Sequence, residues 1–112
     1  LKNDFYQRVY AVVAQIPYGK VTSYGAIARF LGAGKSSRMV GYALKSSLSI
    51  ANLPAHRVLN RNGLLTGKHY FGGSTVMEDL LRAEGLPVVN DQVQNLEKHF
   101  WDPAEHLQPH QF

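Results

Sequence analysis

The chain has 112 residues, 45% of them hydrophobic, with no cysteine and a formal net charge of +4. That length supports one hydrophobic core and not two, so a single domain over residues 1–112 is expected. The absence of cysteine excludes disulfides and thiolate zinc sites, no stretch is apolar for long enough to span a bilayer, and Leu1-Lys2-Asn3-Asp4-Phe5 does not open as a signal peptide, which together predict a soluble cytoplasmic chain.

From the N-terminus, Asp4 to Gln15 sets Phe5, Val9, Val12, Val13 and Ile16 near helical spacing, and this predicts an amphipathic helix that Pro17-Tyr18-Gly19 ends. Val21-Thr22 reads as a short extended piece. Ser23 is placed to cap a helix running through Phe30, with Ile27 and Leu31 inward and Gly32-Ala33-Gly34 breaking it. Ser36 or Ser37 is placed to cap the next helix, which runs to about Lys45 with Val40, Ala43 and Leu44 on its inner side. Two short helices joined by a glycine-containing turn fit a helix-turn-helix. Arg57-Val58-Leu59 reads as a strand, Asn62-Gly63 as a turn and Gly72-Gly73 as a flexible loop. Thr75-Val76-Met77-Glu78 has capping-box spacing ahead of Leu80 and Leu81, and Gly85 is a natural stop. A small wing near Val88-Val89 and Gln92-Val93 follows, and in the tail from Phe100 only Trp101-Asp102-Pro103 carries a signal, that of an anchor packing one large aromatic against the domain. The sum is a mostly α fold with a small β element.

Charge is unevenly spread. Eight basic residues (Lys20, Arg29, Lys35, Arg38, Lys45, Arg57, Arg61 and Lys68) fall between positions 20 and 68 with no Asp or Glu among them, a plausible footprint for a polyanion. An ordinary solvated basic face would show the same count; the helix-turn-helix spacing and the interleaved aromatic residues favour DNA. His106 and His110 are four apart, a metal-binding spacing on one helix face, but Pro109 lies between them and makes a continuous helix unfavourable. These two, with His69 and His99, read as surface residues, and neither a metal nor a cofactor is expected.

Three segments carry a more specific signal. Pro54-Ala55-His56-Arg57-Val58 resembles the Pro-Cys-His-Arg-Val active-site signature of the O6-alkylguanine-DNA alkyltransferases, with Ala55 where that family's reactive cysteine stands. Ile16 to Gly25 resembles the segment leading into the family's helix-turn-helix, and Ser37-Arg38-Met39-Val40-Gly41 the start of its recognition helix. Gly72-Gly73 and Leu80-Leu81-Arg82-Ala83-Glu84-Gly85 resemble the later pocket and buttress segments, so the likeness runs in order over about residues 4 to 89. Because the non-enzymatic alkyltransferase-like proteins are defined by replacement of that cysteine, the chain is similar to them above all. It departs from the enzymes at Ser47, where they usually have an asparagine, and in a slightly longer loop from Gly63 to Gly73. The enzymes usually carry an additional N-terminal domain, for which this length leaves no room.

The resemblance implies a winged-helix-like helix-turn-helix domain, like the alkyltransferase C-terminal domain, that binds duplex DNA containing O6-alkylguanine as a monomer. It implies that the damaged base is flipped into a pocket without dealkylation and that the lesion is flagged to nucleotide-excision repair proteins, in a bacterium at the nucleoid. Arg38 would be an arginine finger filling the gap in the duplex, since a planar, permanently charged guanidinium stacks well, and Tyr24 would press on the neighbouring phosphate. The lesion pocket would comprise Pro54, Ala55, His56, Arg57, Val58, Tyr70, Phe71, Gly72, Gly73 and Glu84. Tyr70 and Phe71 would wall a flat base, and Lys20, Lys35 and Lys45 would contact phosphates. In the enzymes a histidine and a glutamate relay activates the thiol; with Ala55 present, His56 and Glu84 keep an architectural role and Arg57 orients the pocket loop. Met39 and Gly41 read as packing residues. Competing readings are a helix-turn-helix regulator of a specific sequence, which would have no use for the Pro54–Arg57 motif and would usually dimerise, and an enzyme with another nucleophile, such as a Glu84–His56 hydrolase.

Overall fold

A computed structural model describes residues 2–32 and 36–112. Helix α1 (Lys2–Val13) turns Val9, Val12 and Val13 fully inward, the i, i+3, i+4 pattern read from the sequence. It stops two residues earlier than expected: Gln15 and Ile16 close the last turn with i→i−3 bonds to Val12 and Val13, a tightening that the extended backbone preferred before Pro17 brings about. The chain then enters β1 (Thr22–Ser23). Ser23 has extended backbone and its Oγ accepts from the Ala26 N–H at 3.1 Å, so it caps α2 (Tyr24–Phe30) as expected.

Helix α3 (Ser37–Lys45) buries Val40, Ala43 and Leu44 against α1 and α2. Ser36 occupies its N-cap position but makes no side-chain capping bond, a correction to the sequence expectation. At the other end the buried Ser47 donates its hydroxyl to the Leu44 carbonyl at 2.6 Å, satisfying one of the carbonyls a helix end leaves free.

A 3₁₀ turn (Ala55–Arg57) leads into β2 (Val58–Leu59), so Arg57 belongs to the turn and not to the strand expected for it. Strand β2 pairs in parallel with β1, Thr22 opposite Val58 and Ser23 opposite Leu59. That short ladder sets Ala55 beside the start of α2 although the two are far apart in the chain. The turn at Asn60–Gly63 is held by the Asn60 side chain, which accepts from Asn62 and Leu64 N–H, both at 2.9 Å. A second 3₁₀ turn (Lys68–Phe71) ends at Gly72, whose φ of +85° suits glycine.

Helix α4 (Val76–Ala83) lacks the expected capping box: Thr75 stands at the N-cap without a side-chain bond to the backbone, and its hydroxyl lies instead 3.2 Å from Asp79 Oδ2. Its C-terminus is a Schellman closure, with Gly85 N–H to Arg82 O at 2.9 Å, Leu86 N–H to Leu81 O at 3.1 Å and Gly85 at φ +86°. That closure places Glu84 at the helix end. The wing is present as β3 (Val88–Val89) antiparallel to β4 (Gln92–Val93), joined by Asn90 and Asp91 at positive φ, a twist suited to a two-residue hairpin.

The tail is more ordered than its sequence signal. Val21 donates to His99 O and accepts from Trp101 N–H, after which the short helices α5 (Leu96–His99) and α6 (Pro103–His106) are tied to the body. Trp101 is buried, as expected of an anchor, and stacks parallel to His106 at 5.4 Å. Phe112 meets Phe30 edge to face, while Arg8 Nε donates to the Phe112 carbonyl. Two hydrophobic clusters result, one among α1, α2, α3 and Trp101 and one among Val21, Leu59, Leu65, α4 and the wing; Phe71 packs on both. The fold is mostly helical with a small sheet, as read from the sequence.

Candidate functional site

A cavity of about 390 Å³ opens between α3, the Ala55 turn and the segment Thr66–Phe71. Ala55, 8% exposed, lies on its wall, where a longer side chain would project. Tyr24, Arg38 and Lys45 join it from the helix pair, and Val58, Tyr70 and Phe71 from the other side, so seven of the residues singled out in the sequence converge on one space. The volume falls within the range of about 300–1,000 Å³ usual for ligand clefts.

Other expected members stand elsewhere. Pro54, His56, Arg57, Gly72, Gly73 and Glu84 do not line the cavity. His56, Arg57 and Glu84 form a compact network behind it: His56 Nε2 is 2.6 Å from Glu84 Oε2, Arg57 Nε is 3.0 Å from both carboxylate oxygens, and its Nη2 is 2.9 Å from Oε2. The network grips the turn that follows α1, because Gly19 N–H donates to Glu84 Oε1 at 2.7 Å, Arg57 Nη1 donates to Ile16 O at 2.8 Å and Tyr18 donates to Ala83 O at 2.9 Å. Arg57 therefore orients the Pro17–Gly19 turn, not the loop at Gly72. Burial would raise the Glu84 pKa, but the bonds from Arg57, the Gly19 amide and His56 outweigh it and hold the carboxyl below its ordinary 4.5.

Tyr24 faces the opposite loop. Its hydroxyl is so close to Gly67 that a Cβ there would lie 3.0 Å from it, and its pKa is raised by burial and by Tyr70, with a bond to Thr66 acting the other way. Lys45 holds its ammonium 5.3 Å from the centre of the Tyr70 ring, spanning the mouth from α3 to the loop. The remaining phosphate candidates differ: Lys20 Nζ donates to the Lys98 carbonyl at 3.3 Å, and Lys35 lies outside the described residues.

The basic run is also thinner in space than in sequence. Arg57 is paired with Glu84, and Lys68 Nζ lies 2.6 Å from Asp91 Oδ2, so acids from beyond the run neutralise two of its members.

Several wall residues were not expected at the pocket from the sequence. Ser37, Tyr42 and Leu48 come from α3 and the chain after it, Thr66 and Gly67 from the loop, and Met77 from α4. An exposed Tyr42 on the outer face of an amphipathic helix was the one available clue. Gly41 also lines the cavity, and since a Cβ there would meet nothing within 4 Å, close packing is not what calls for glycine. No group of three or more metal-binding side chains occurs among the described residues, nor any helix long and apolar enough to cross a membrane.

The sequence model of the 6-O-methylguanine DNA methyltransferase DNA-binding domain matches residues 4–86. Alkyltransferase-like protein 1 of Schizosaccharomyces pombe is 35% identical over 105 residues, covering 90% of this chain and 97% of its own length. The chain belongs to the alkyltransferase-like proteins. The DNA base-flipping protein of Escherichia coli is 37% identical over 103 residues, 90% of this chain and 77% of that one. The crystal structure of S. pombe Atl1 with damaged DNA containing O6-carboxymethylguanine superposes with a TM-score of 0.81 at 35% identity, over 90% of this chain and 97% of the other. Methylated-DNA–protein-cysteine methyltransferases match as well, and the chain spans about half of their length. In this alkyltransferase-like chain the cavity wall at position 55 is an alanine, which offers no nucleophile.

Proposed function

We propose that this alkyltransferase-like protein binds duplex DNA containing O6-alkylguanine, turns the damaged base into the cavity beside Ala55 and leaves the alkyl group where it is. The observation that carries this reading is the combination of an intact His56–Glu84–Arg57 network with a methyl side chain at the position where alkyl transfer needs a thiolate. The names of its relatives in S. pombe and E. coli support the same activity. Arg38, exposed in the first turn of α3 and at the cavity's edge, fills the vacated stack, and Tyr24 at the start of α2 engages the adjoining backbone. Unstacking a base costs about a few kcal/mol, which contacts with the aromatic wall of Tyr70 and Phe71 offset at roughly 1–3 kcal/mol per stacked base.

Binding that leaves damage in place is useful only when something else acts on the complex. The bound monomer therefore serves as a flag for nucleotide-excision repair proteins, working wherever the cell keeps its DNA and needing no metal or cofactor. Two duplexes identical except for guanine or O6-methylguanine test recognition: the damaged one binds more tightly. A methyl label on the damaged base tests the chemistry. All label stays in the DNA; stoichiometric or catalytic loss would overturn the reading.

A further inference from the structure

Among the described residues, the wall of the cavity carries two cations and no carboxylate. Arg38 stands in the first turn of α3 and Lys45 in its last, roughly 10 Å apart along the helix axis. Arg57, Lys68 and Arg82 each lie against an acid, whereas no salt bridge to Lys45 occurs among the described residues and its ammonium rests against the Tyr70 ring. An exposed cation–π contact is weak, and a carboxylate within reach outcompetes it.

We propose that Lys45 is a specificity-determining residue that makes the cavity favour O6 adducts bearing a carboxylate over neutral adducts of the same size. The proposal rests on the lesion-binding function given above. Besides Ala55, the apolar part of the wall comprises Leu44, Leu48, Val58, Phe71 and Met77, which offer apolar contact but cannot sense charge. The hydroxyls of Tyr24 and Thr66 are neutral. Arg38 is assigned to the duplex, which leaves Lys45, among the described residues of the wall, as the group able to read charge on the adduct. Its ammonium is a compact point charge on a flexible stem, suited to following a carboxylate at the end of a short alkyl chain. Attraction of the same lysine to phosphates is equal for every duplex and cancels when two adducts are compared.

The test uses three duplexes of one sequence bearing O6-methylguanine, O6-carboxymethylguanine or its uncharged amide, O6-carbamoylmethylguanine, together with the guanine control at one salt concentration. The full chain, Lys45→Met and Lys45→Arg are compared. The unsubstituted protein binds the carboxymethyl duplex roughly three- to tenfold more tightly than the carbamoylmethyl one. Lys45→Met brings that ratio to about one, and Lys45→Arg, which keeps the charge, preserves it. A protein that prefers O6-methylguanine to guanine but binds the carboxymethyl and carbamoylmethyl duplexes equally overturns the role of Lys45 alone, as does a ratio that survives in Lys45→Met. Equal binding of O6-methylguanine and guanine overturns the lesion-binding function itself and the Lys45 proposal with it.

Discussion

At the scale of single residues, Ala55 and Glu84 separate the two halves of the site. Ala55 faces the cavity and takes no part in the Glu84 network, so its size acts on the ligand. Binding across O6-methyl, O6-benzyl and a bulkier neutral adduct falls little with size, while Ala55→Trp impairs the bulkiest most; a steep fall from methyl to benzyl in the unsubstituted protein would refute the roomy wall. Glu84 acts on the fold. Its carboxyl titrates below the ordinary 4.5 in the folded chain, so its contribution is complete above that value and fades as pH drops through the lower, folded-state pKa. Acid unfolding followed by circular dichroism tests this: Glu84→Gln lowers stability near neutrality by on the order of 1–2 kcal/mol, less than the cost of breaking a fully buried pair because this one is part-buried, and flattens the loss on acidification. Thr22 makes the opposite case, since its buried Oγ1 has no hydrogen-bond partner among the described residues. Thr22→Val leaves the denaturation midpoint unchanged or raises it by about 1 kcal/mol equivalent, and a clear loss would disprove the assignment. The Glu84 and Ala55 positions were legible in the sequence through the likeness to the alkyltransferases. Their separation into a strut and a wall was not, because the sequence records neighbours along the chain and the Glu84 partners come from positions 19, 56 and 57.

At the scale of elements, α3 holds Arg38 at one end and Lys45 at the other, and the two ends should fail differently. Arg38→Ala weakens binding to damaged DNA and reduces the signal of a fluorescent base analogue that brightens on unstacking; unchanged flipping would sink the finger assignment. Lys20→Ala weakens damaged and undamaged duplexes alike and shallows the salt dependence by about one phosphate contact's worth of slope. The apolar periodicity of α1, α2 and α3 made these helices readable, and Gly85 and the wing were readable from turn chemistry. The cap at Thr75 was not, because its hydroxyl turns to Asp79, a side-chain choice that spacing alone does not decide. Most of the cavity's outer wall was equally hidden: Leu48 is exposed, and an exposed apolar side chain in a sequence looks like any other.

At the scale of the whole molecule, the two hydrophobic clusters share Phe71, and the tail crosses back to Val21 and Phe30. We expect one cooperative unfolding transition, with far-ultraviolet dichroism and Trp101 fluorescence moving together; two separated transitions would mean that the clusters fold independently. The tail was the least legible region, since its helices are four residues long and its order comes from what it lies against. The network behind the cavity has a further meaning. In an enzyme of this design, the groups that would ready a sulfur for attack are the same ones that fasten the first helix to the fourth, through the turn at Gly19 and the end of α4. Their value to the fold does not depend on a sulfur being present. One side chain can therefore decide the chemistry while the shape stays the same, and a histidine and a glutamate in this arrangement are poor witnesses to whether a chain reacts.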